Sequence, residues 1–541
     1  MNVRRVIILL LLATAHRAVA QHAAPAKDTI LKGSSIEVIQ AYKPEIKQAP
    51  KPEWIPQLPP ADTAHPVFNY EVPQQTLFYT YSSLPLRPLA LGKETLVLPF
   101  QNYVKIGGGN LSTLFLDAGI GSITGKDYET AIHIHHLSQK GTIADQQSAM
   151  SGVEADALFH KGTNDWHAGI AAERNQYNLF GGDQAVHLAA DSLKQVYTTI
   201  RATADVKNKQ DSNTVFNYDP GISASFYNAK LNASEITLGI NAPATYKLTD
   251  DIDAAATLMG AFTNYQANGI STANNFIELL PGFNFHTQAV SGHALLGLAE
   301  GKGSQGYLLP DLQVGYTIPD TKFVVSGGWQ ALLHQNTYEQ LTTENPYLYV
   351  RDSIMQTRSD EVFADLKGAS GDHLSYSARI SWWNFNNLPT FLNDLGDQKQ
   401  FYIDYMNVKA ISLKLAMRYH VANTWSVGAS GDFYNFYGET EKYVWELPSM
   451  KIKGDLTITP VPKLTFTAYL ALLGGIHAKD ANHNAVNLST IAELGGSAEY
   501  QIIPRLSAFA QINNLLSDKY QLYYGYPVYG LNIYGGIRLK F

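Results

Sequence analysis

The chain has 541 residues, of which 45% are hydrophobic and 16% charged, with 42 glycines, 32 tyrosines, no cysteine and a formal net charge of −7. The acidic balance argues against nucleic acid as a partner, and the lack of cysteine excludes disulfides as a source of stability. Beyond residue 20 no apolar run approaches the roughly eighteen residues that a membrane-spanning helix needs, whereas tyrosine and glycine favour strands and tight turns.

In chain order, residues 1–20 read as a secretory signal peptide. Arg4 and Arg5 precede an apolar run from Val6 to Ala13, and Ala18-Val19-Ala20 forms a small-residue cleavage site before Gln21. Its removal takes away three arginines and brings the net charge from −7 to −10. Residues 21–99 then hold 12 of the 24 prolines. Such a stretch forms neither helix nor central strand and reads as extended chain. Trp54, Ile55, Phe68, Tyr70, Phe78, Tyr79 and Tyr81 make it apolar for a spacer. Two readings follow, a linker or a tail that docks in the periplasm or in a lumen.

From about residue 100 the apolar residues recur with a period of two. QNYVKIGGGN (101–110) opens the series, and its glycines lack the strand-then-helix context of a phosphate loop, so they are read as easing a tight strand. AIHIHHL places His133 and His135 on one strand face with Glu129, a pattern that can ligate a metal or line a solvated wall. Leu374 to Trp382, Ile411 to Val421, Trp425 to Phe433 and Leu464 to Leu472 each alternate apolar with polar or small residues. Runs of about ten residues are twice the usual soluble strand and match a tilted membrane crossing. Trp425 and Phe433 sit near the ends of one face, as in an interfacial aromatic girdle.

The connections sort by length. Those at 319–321, 371–373, 422–424, 461–463 and 503–505 are minimal, and those at 178–195, 333–359, 386–399, 475–488 and 517–529 are long. Alternation of short and long turns is expected of an outer-membrane barrel and not of a sandwich. The reading is therefore an all-β transmembrane antiparallel barrel over residues 100–541. It has about 22 strands, with 14–18 as the smaller alternative, because 401–421 reads as one strand or two. His477, Asp480 and His483 in HAKDANH form a second weak metal pattern. No catalytic signature stands out, and no cofactor is expected.

The last eleven residues, LNIYGGIRLKF, put Ile537, Leu539 and Phe541 on one face and Arg538 and Lys540 on the other. INNLLSDKYQLYYGYPVYGLNIYGGIRLKF (512–541) resembles the C-terminal end of TonB-dependent receptors of the Bacteroidetes type. The match is carried by Asn514-Leu515-Leu516, Lys519-Tyr520, Gly525-Tyr526-Pro527, Gly530, Gly536 and Phe541. The resemblance implies a bacterial outer-membrane location and solute uptake. It also implies that Ile537, Leu539 and Phe541 are the signal read by the barrel-assembly machinery through strand addition. Receptors of that type carry a globular plug, for which residues 21–99 are too few and too proline-rich. An unplugged barrel of this size leaves a wide lumen, to be filled by the tail, a partner protein or inward-folded loops. By parity the lumen wall carries Arg379, Lys414, Arg418, Lys451, Lys453, Arg538 and Lys540. This basic wall either attracts an anionic solute or acidic plug, or pairs with lumen acids such as Asp432 and Asp455. The function expected is passage or binding of a solute across the outer membrane; the alternative is a non-transporting barrel subunit of a larger envelope complex. The partners expected are outer-membrane lipid, the assembly machinery, and either the TonB complex or a protein in the periplasm or lumen.

Overall fold

The computed structural model describes residues 102–541, apart from 126, 183–188, 210–213, 231, 351–353, 395–397 and 422–423. The signal peptide, the proline-rich extension and the expected lack of a plug lie outside the described residues.

Twenty-two antiparallel strands form one closed ring. The first, Tyr103–Gly109, pairs on one side with Leu114–Thr124 and on the other with the last, Asn532–Lys540, so no edge is left. Closure satisfies every backbone ladder without water, which a membrane demands. At the seam Tyr103 lies opposite Lys540 and Gly109 opposite Tyr534, and the Phe541 amide donates to the Asn102 carbonyl at 3.2 Å. The glycines of VKIGGGN meet Gly535 and Gly536 there. A Cβ on Gly536 would sit 1.8 Å from the Ile106 carbonyl oxygen, and one on Gly109 2.1 Å from that of Ile533. Their role is close backbone approach, as the sequence implied.

Period-two alternation becomes two faces. Ile106, Ile380, Trp382, Ile411, Leu413, Leu415, Met417, Phe466, Ile537 and Leu539 are all exposed, pointing away from the lumen. In an aqueous protein so large an apolar exposure would be a liability; around a barrel it is the lipid-facing band.

The turns sort by end. The connections at 318–322, 371–373, 422–424, 462–463 and 504–505 all lie at the end carrying Asn102 and Phe541. Those at 179–193, 335–356, 439–449, 475–490 and 514–531 all lie at the opposite end, which is therefore the outer one. Two readings are corrected or settled. Residues 386–393 are not loop: Leu374–Asn393 is one 20-residue strand, and the connection is only 394–400. A register shift between Phe385 and Leu388, with Asn387 at φ 58°, absorbs the Asn-Asn-Leu-Pro sequence that reads as a turn. Its neighbour Phe401–Val421 is one strand of 21 residues, not two.

Candidate functional site: the lumen wall and its closed mouth

Arg379, Lys414, Arg418, Lys451, Lys453, Arg538 and Lys540 occupy strand positions that alternate with the lipid-facing apolar ones. Arg379 and Asp432 flank Lys414 in one cross-strand row, and Lys451 follows Asp432. Both open readings of this wall meet in it. The Arg418 guanidinium forks onto Asp455, donating at 3.0 and 2.9 Å. Arg379 lies 3.3 Å from Glu361 with its guanidinium over the Phe363 ring, and Arg538 lies 3.5 Å from Glu499. The arginines are thus committed to carboxylates. Lys414 instead lies among aromatic rings, 5.6 Å from the Trp383 centroid and 5.9 Å from that of Tyr434. Lys105, which sequence reasoning did not single out, has its ammonium 4.2 Å from the Phe509 centroid. Its strand looked apolar and glycine-rich, and only the seam register turns it inward beside Arg538.

On the other side of the ring, the early strands carry acids and histidines. His133 Nε2 lies 3.0 Å from Asp117, and its Nδ1 lies 3.3 Å from Glu154. Tyr103 donates its hydroxyl to the same Asp117. His167 stands between Asp205 at 2.8 Å and Asp156 at 3.1 Å, and His160 is 2.7 Å from Asp165. The expected pairing of His133 with His135 brings their rings to 5.6 Å, with Gly152 leaving the space that the His135 ring fills. Glu129 turns to His160 at 3.8 Å instead of joining them. Among the described residues no group of three or more His, Asp or Glu side chains could hold a metal ion. In HAKDANH, His477 stacks on Tyr443 at 4.3 Å, and Asp480 accepts the amides of Asn482 and Asn484 to close a small hairpin.

Above this wall the outer loops fold inward. The connection 179–193 follows the fifth strand of the ring and 394–400 follows the fifteenth, so their bases are nearly opposite. Even so, the Lys399 ammonium donates to the Gly181 carbonyl at 3.0 Å. A bond between such loops crosses the mouth. Tyr526, from the loop 514–531, sits at the junction. Its ring stacks on Tyr347 at 3.7 Å and meets Phe180 edge-on at 5.0 Å, and its hydroxyl donates to the Lys399 carbonyl. Tyr523 donates to Glu344 O, and Tyr197 from the wall donates to Pro346 O at 2.8 Å. With Tyr227, Tyr265, Leu341, Leu348, Phe391 and Phe401 these residues make the largest buried cluster among the described residues. Burial of several aromatics, with the Tyr197, Tyr227, Tyr523 and Tyr526 hydroxyls paired, is a strong local source of cohesion.

The loop 335–356 contacts the wall at residues 338–339. Its short helix Tyr338–Glu344 opens on a capping box at Thr337, and the buried wall carboxylate Glu235 accepts the Tyr338 amide at 2.8 Å. Glu339 is held by Arg201 at 2.6 Å and by Ser225 at 2.9 Å. A second junction joins three loops through Glu446. Its amide donates to His477 O, and it accepts the Tyr524 amide at 3.3 Å. Burial pushes the Glu446 carboxyl up to about 8, and burial likewise raises Glu344. No local pattern marks Tyr347, Glu235 or Glu446 in the sequence, and the Gly525-Tyr526-Pro527 motif does not reveal what Tyr526 touches, because their partners lie tens to hundreds of residues away.

No protein-family model and no curated protein matches the sequence. Solved structures match in fold. The FrpB iron transporter from Neisseria meningitidis aligns with a TM-score of 0.64 at 9% identity, over 82% of this chain and 82% of that one. The ferric-catecholate import receptor Fiu from E. coli K12, in its closed form, aligns at 0.61 and 11%, again over 82% of each chain. The copper transporter OprC aligns at 0.59 and 10%, over 82% of this chain and 80% of that one. The closed barrel is of the kind these receptors and transporters share.

Proposed function

We propose that this TonB-dependent receptor-like barrel of the bacterial outer membrane passes or binds a solute through a lumen whose outer mouth is gated by its own loops. The observation that carries the reading is the bridge across the mouth, with Lys399 on Gly181 and Tyr526 on Tyr347 above a wall of charged and hydroxylated side chains. The neighbours described as an iron transporter, a copper transporter and an import receptor favour the same reading. TonB or another periplasmic protein is proposed as the partner of residues 21–99. The alternative, a non-transporting subunit of an envelope complex, keeps the cap permanently shut.

Single-channel conductance in planar bilayers tests this. The mature chain should stay closed, and Tyr526→Ala combined with removal of residues 21–95 should open a large pore. Tyr526→Phe, which keeps the ring and loses one hydrogen bond, should stay nearly closed. A double variant that folds yet never conducts would favour the structural subunit.

A further inference from the structure

We infer that the lumen face of strands Leu374–Asn393, Phe401–Val421 and Trp425–Gly438 holds a subsite for a planar aromatic anion, formed by Lys414, Trp383 and Tyr434. The inference rests on the reading of the lumen as a solute path and names the class of solute that this part of the wall fits.

Three observations carry it. The first is the state of Lys414. The arginines around it are taken up by carboxylates, but no carboxylate oxygen lies within ion-pair distance of Lys414 among the described residues. Asp432 stands opposite in register without closing a pair, and Arg379 on the other side is paired with Glu361. An ammonium flanked by two ring faces has lost part of its water and gained only cation–π contact in exchange. A carboxylate arriving from the lumen supplies the missing partner.

The second is the shape beside it. Trp383 stacks on Phe385 at 5.2 Å and 8°, and Tyr434 stacks on Phe436 at 5.2 Å and 1°. The two stacks stand on the strands either side of Lys414. Between them lie Ala410 and Ser412, with Val408 in the row of Phe385, all fully covered. The rings therefore lean over a flat floor, and each keeps part of its surface toward the lumen. A planar ring stacks on such a platform, whereas a puckered aliphatic ring touches it at few points.

The third is rigidity. The Trp383 indole donates to Ser412 Oγ at 3.0 Å, which fixes the ring before any solute arrives. A preorganised ring loses little freedom on binding.

The test is calorimetric titration of the full mature chain in detergent with 2-naphthoate. Its controls are 2-naphthalenemethanol, which keeps the rings without the charge, and cyclohexanecarboxylate, which keeps the charge without the aromatic plane. Saturable binding of 2-naphthoate at least tenfold tighter than either control is expected. Lys414→Gln and Trp383→Leu should each weaken it about tenfold or more. Lys322→Gln, which removes the same charge from the turn 318–322 at the other end of the barrel, should leave it unchanged. Folded state is checked for every variant by the mobility of unheated protein in detergent gels. Absence of saturable binding, equal binding of the three probes, or full binding by folded Lys414→Gln overturns the subsite. These outcomes are separate from conductance: a barrel that conducts without binding 2-naphthoate loses the subsite alone, and one that binds it but never opens loses the channel reading alone.

Discussion

A methyl group at position 536 would have nowhere to go. Its carbon would lie 1.8 Å from the Ile106 carbonyl oxygen, a backbone atom that cannot swing aside, and a Cβ at position 109 meets the Ile533 carbonyl at 2.1 Å. Gly536→Ala must then push the first and last strands apart where the ring closes, costing about 1–3 kcal/mol on the scale of overpacked sites. Gly306, with nothing within 4 Å of its would-be Cβ, is the matched control. The thermal transition from the compact to the unfolded gel form should fall clearly for Gly536→Ala, while Gly306→Ala stays within about 0.5 kcal/mol of the parent. Equal behaviour of the two would mean the seam has slack. At this scale the sequence was informative about sides and poor about partners. Parity alone puts Arg379, Lys414, Arg418 and Arg538 toward the lumen, since the side-chain period in a strand is two. Which of them are neutralised depends on register. Asp455 and Glu499 reach Arg418 and Arg538 from other strands, and Lys414 goes without because Asp432 opposite it does not close.

At the scale of elements, strands were legible and loops were not. A strand writes its pattern locally, so the alternation of 411–421 or 464–472 survives translation into structure intact. The stretch Asn386–Asn393 was misread because Asn, Pro and a polar pair signal a turn. The chain uses them for a bulge instead, then carries the ladder on to Asn393 opposite Phe401, and Pro389 is tolerated there opposite Tyr405. The cap was illegible because its contacts are non-local: Tyr526 with Tyr347, Lys399 with Gly181, Tyr338 with Glu235. The three-loop junction at Glu446 yields a signed pH prediction. An exposed glutamate ionises near 4.5, whereas this carboxyl holds its proton up to about 8. The raised value means that the closed junction is most stable below about pH 4.5 and loses stability as pH rises toward 8, because opening releases a proton that closure retains. Hydrogen-exchange protection of segments 443–449 and 520–526, corrected for intrinsic rates, should drop between pH 5 and pH 8.5 in the parent. Glu446→Gln should flatten that drop. A parent profile already flat would place the carboxylate in water and sink the argument.

At the scale of the whole molecule, one alternation serves two solvents, and adjacent residues should respond to the same charge in opposite ways. Leu415 lies in the middle of the exposed apolar row that runs from Ile411 to Met417, and Ala416 faces the lumen between Ser377 and Ser430. Arginine on the lipid face near the midplane costs about 2–4 kcal/mol, and lumen changes cost little by comparison. Leu415→Arg should lower the urea midpoint of the barrel in lipid vesicles by an amount of that order, and Ala416→Arg should leave it almost in place while altering ion selectivity once the mouth is open. The closing strand obeys the same division but adds a kinetic role. Phe541 lies just past the last ladder residue and is 59% exposed, so its ring contributes little to the finished barrel. If its work is to be read during assembly, Phe541→Ala should refold from urea like the parent, yet accumulate unfolded in the periplasm of expressing cells. Equal yields of folded protein in both settings would assign the terminal ring to the lipid belt alone. The three faces of the strand Asn532–Lys540 would then have to be reassigned: Ile537 and Leu539 to lipid, Arg538 to Glu499 in the lumen, and the seam edge to the glycines of the first strand as the sole determinant of closure.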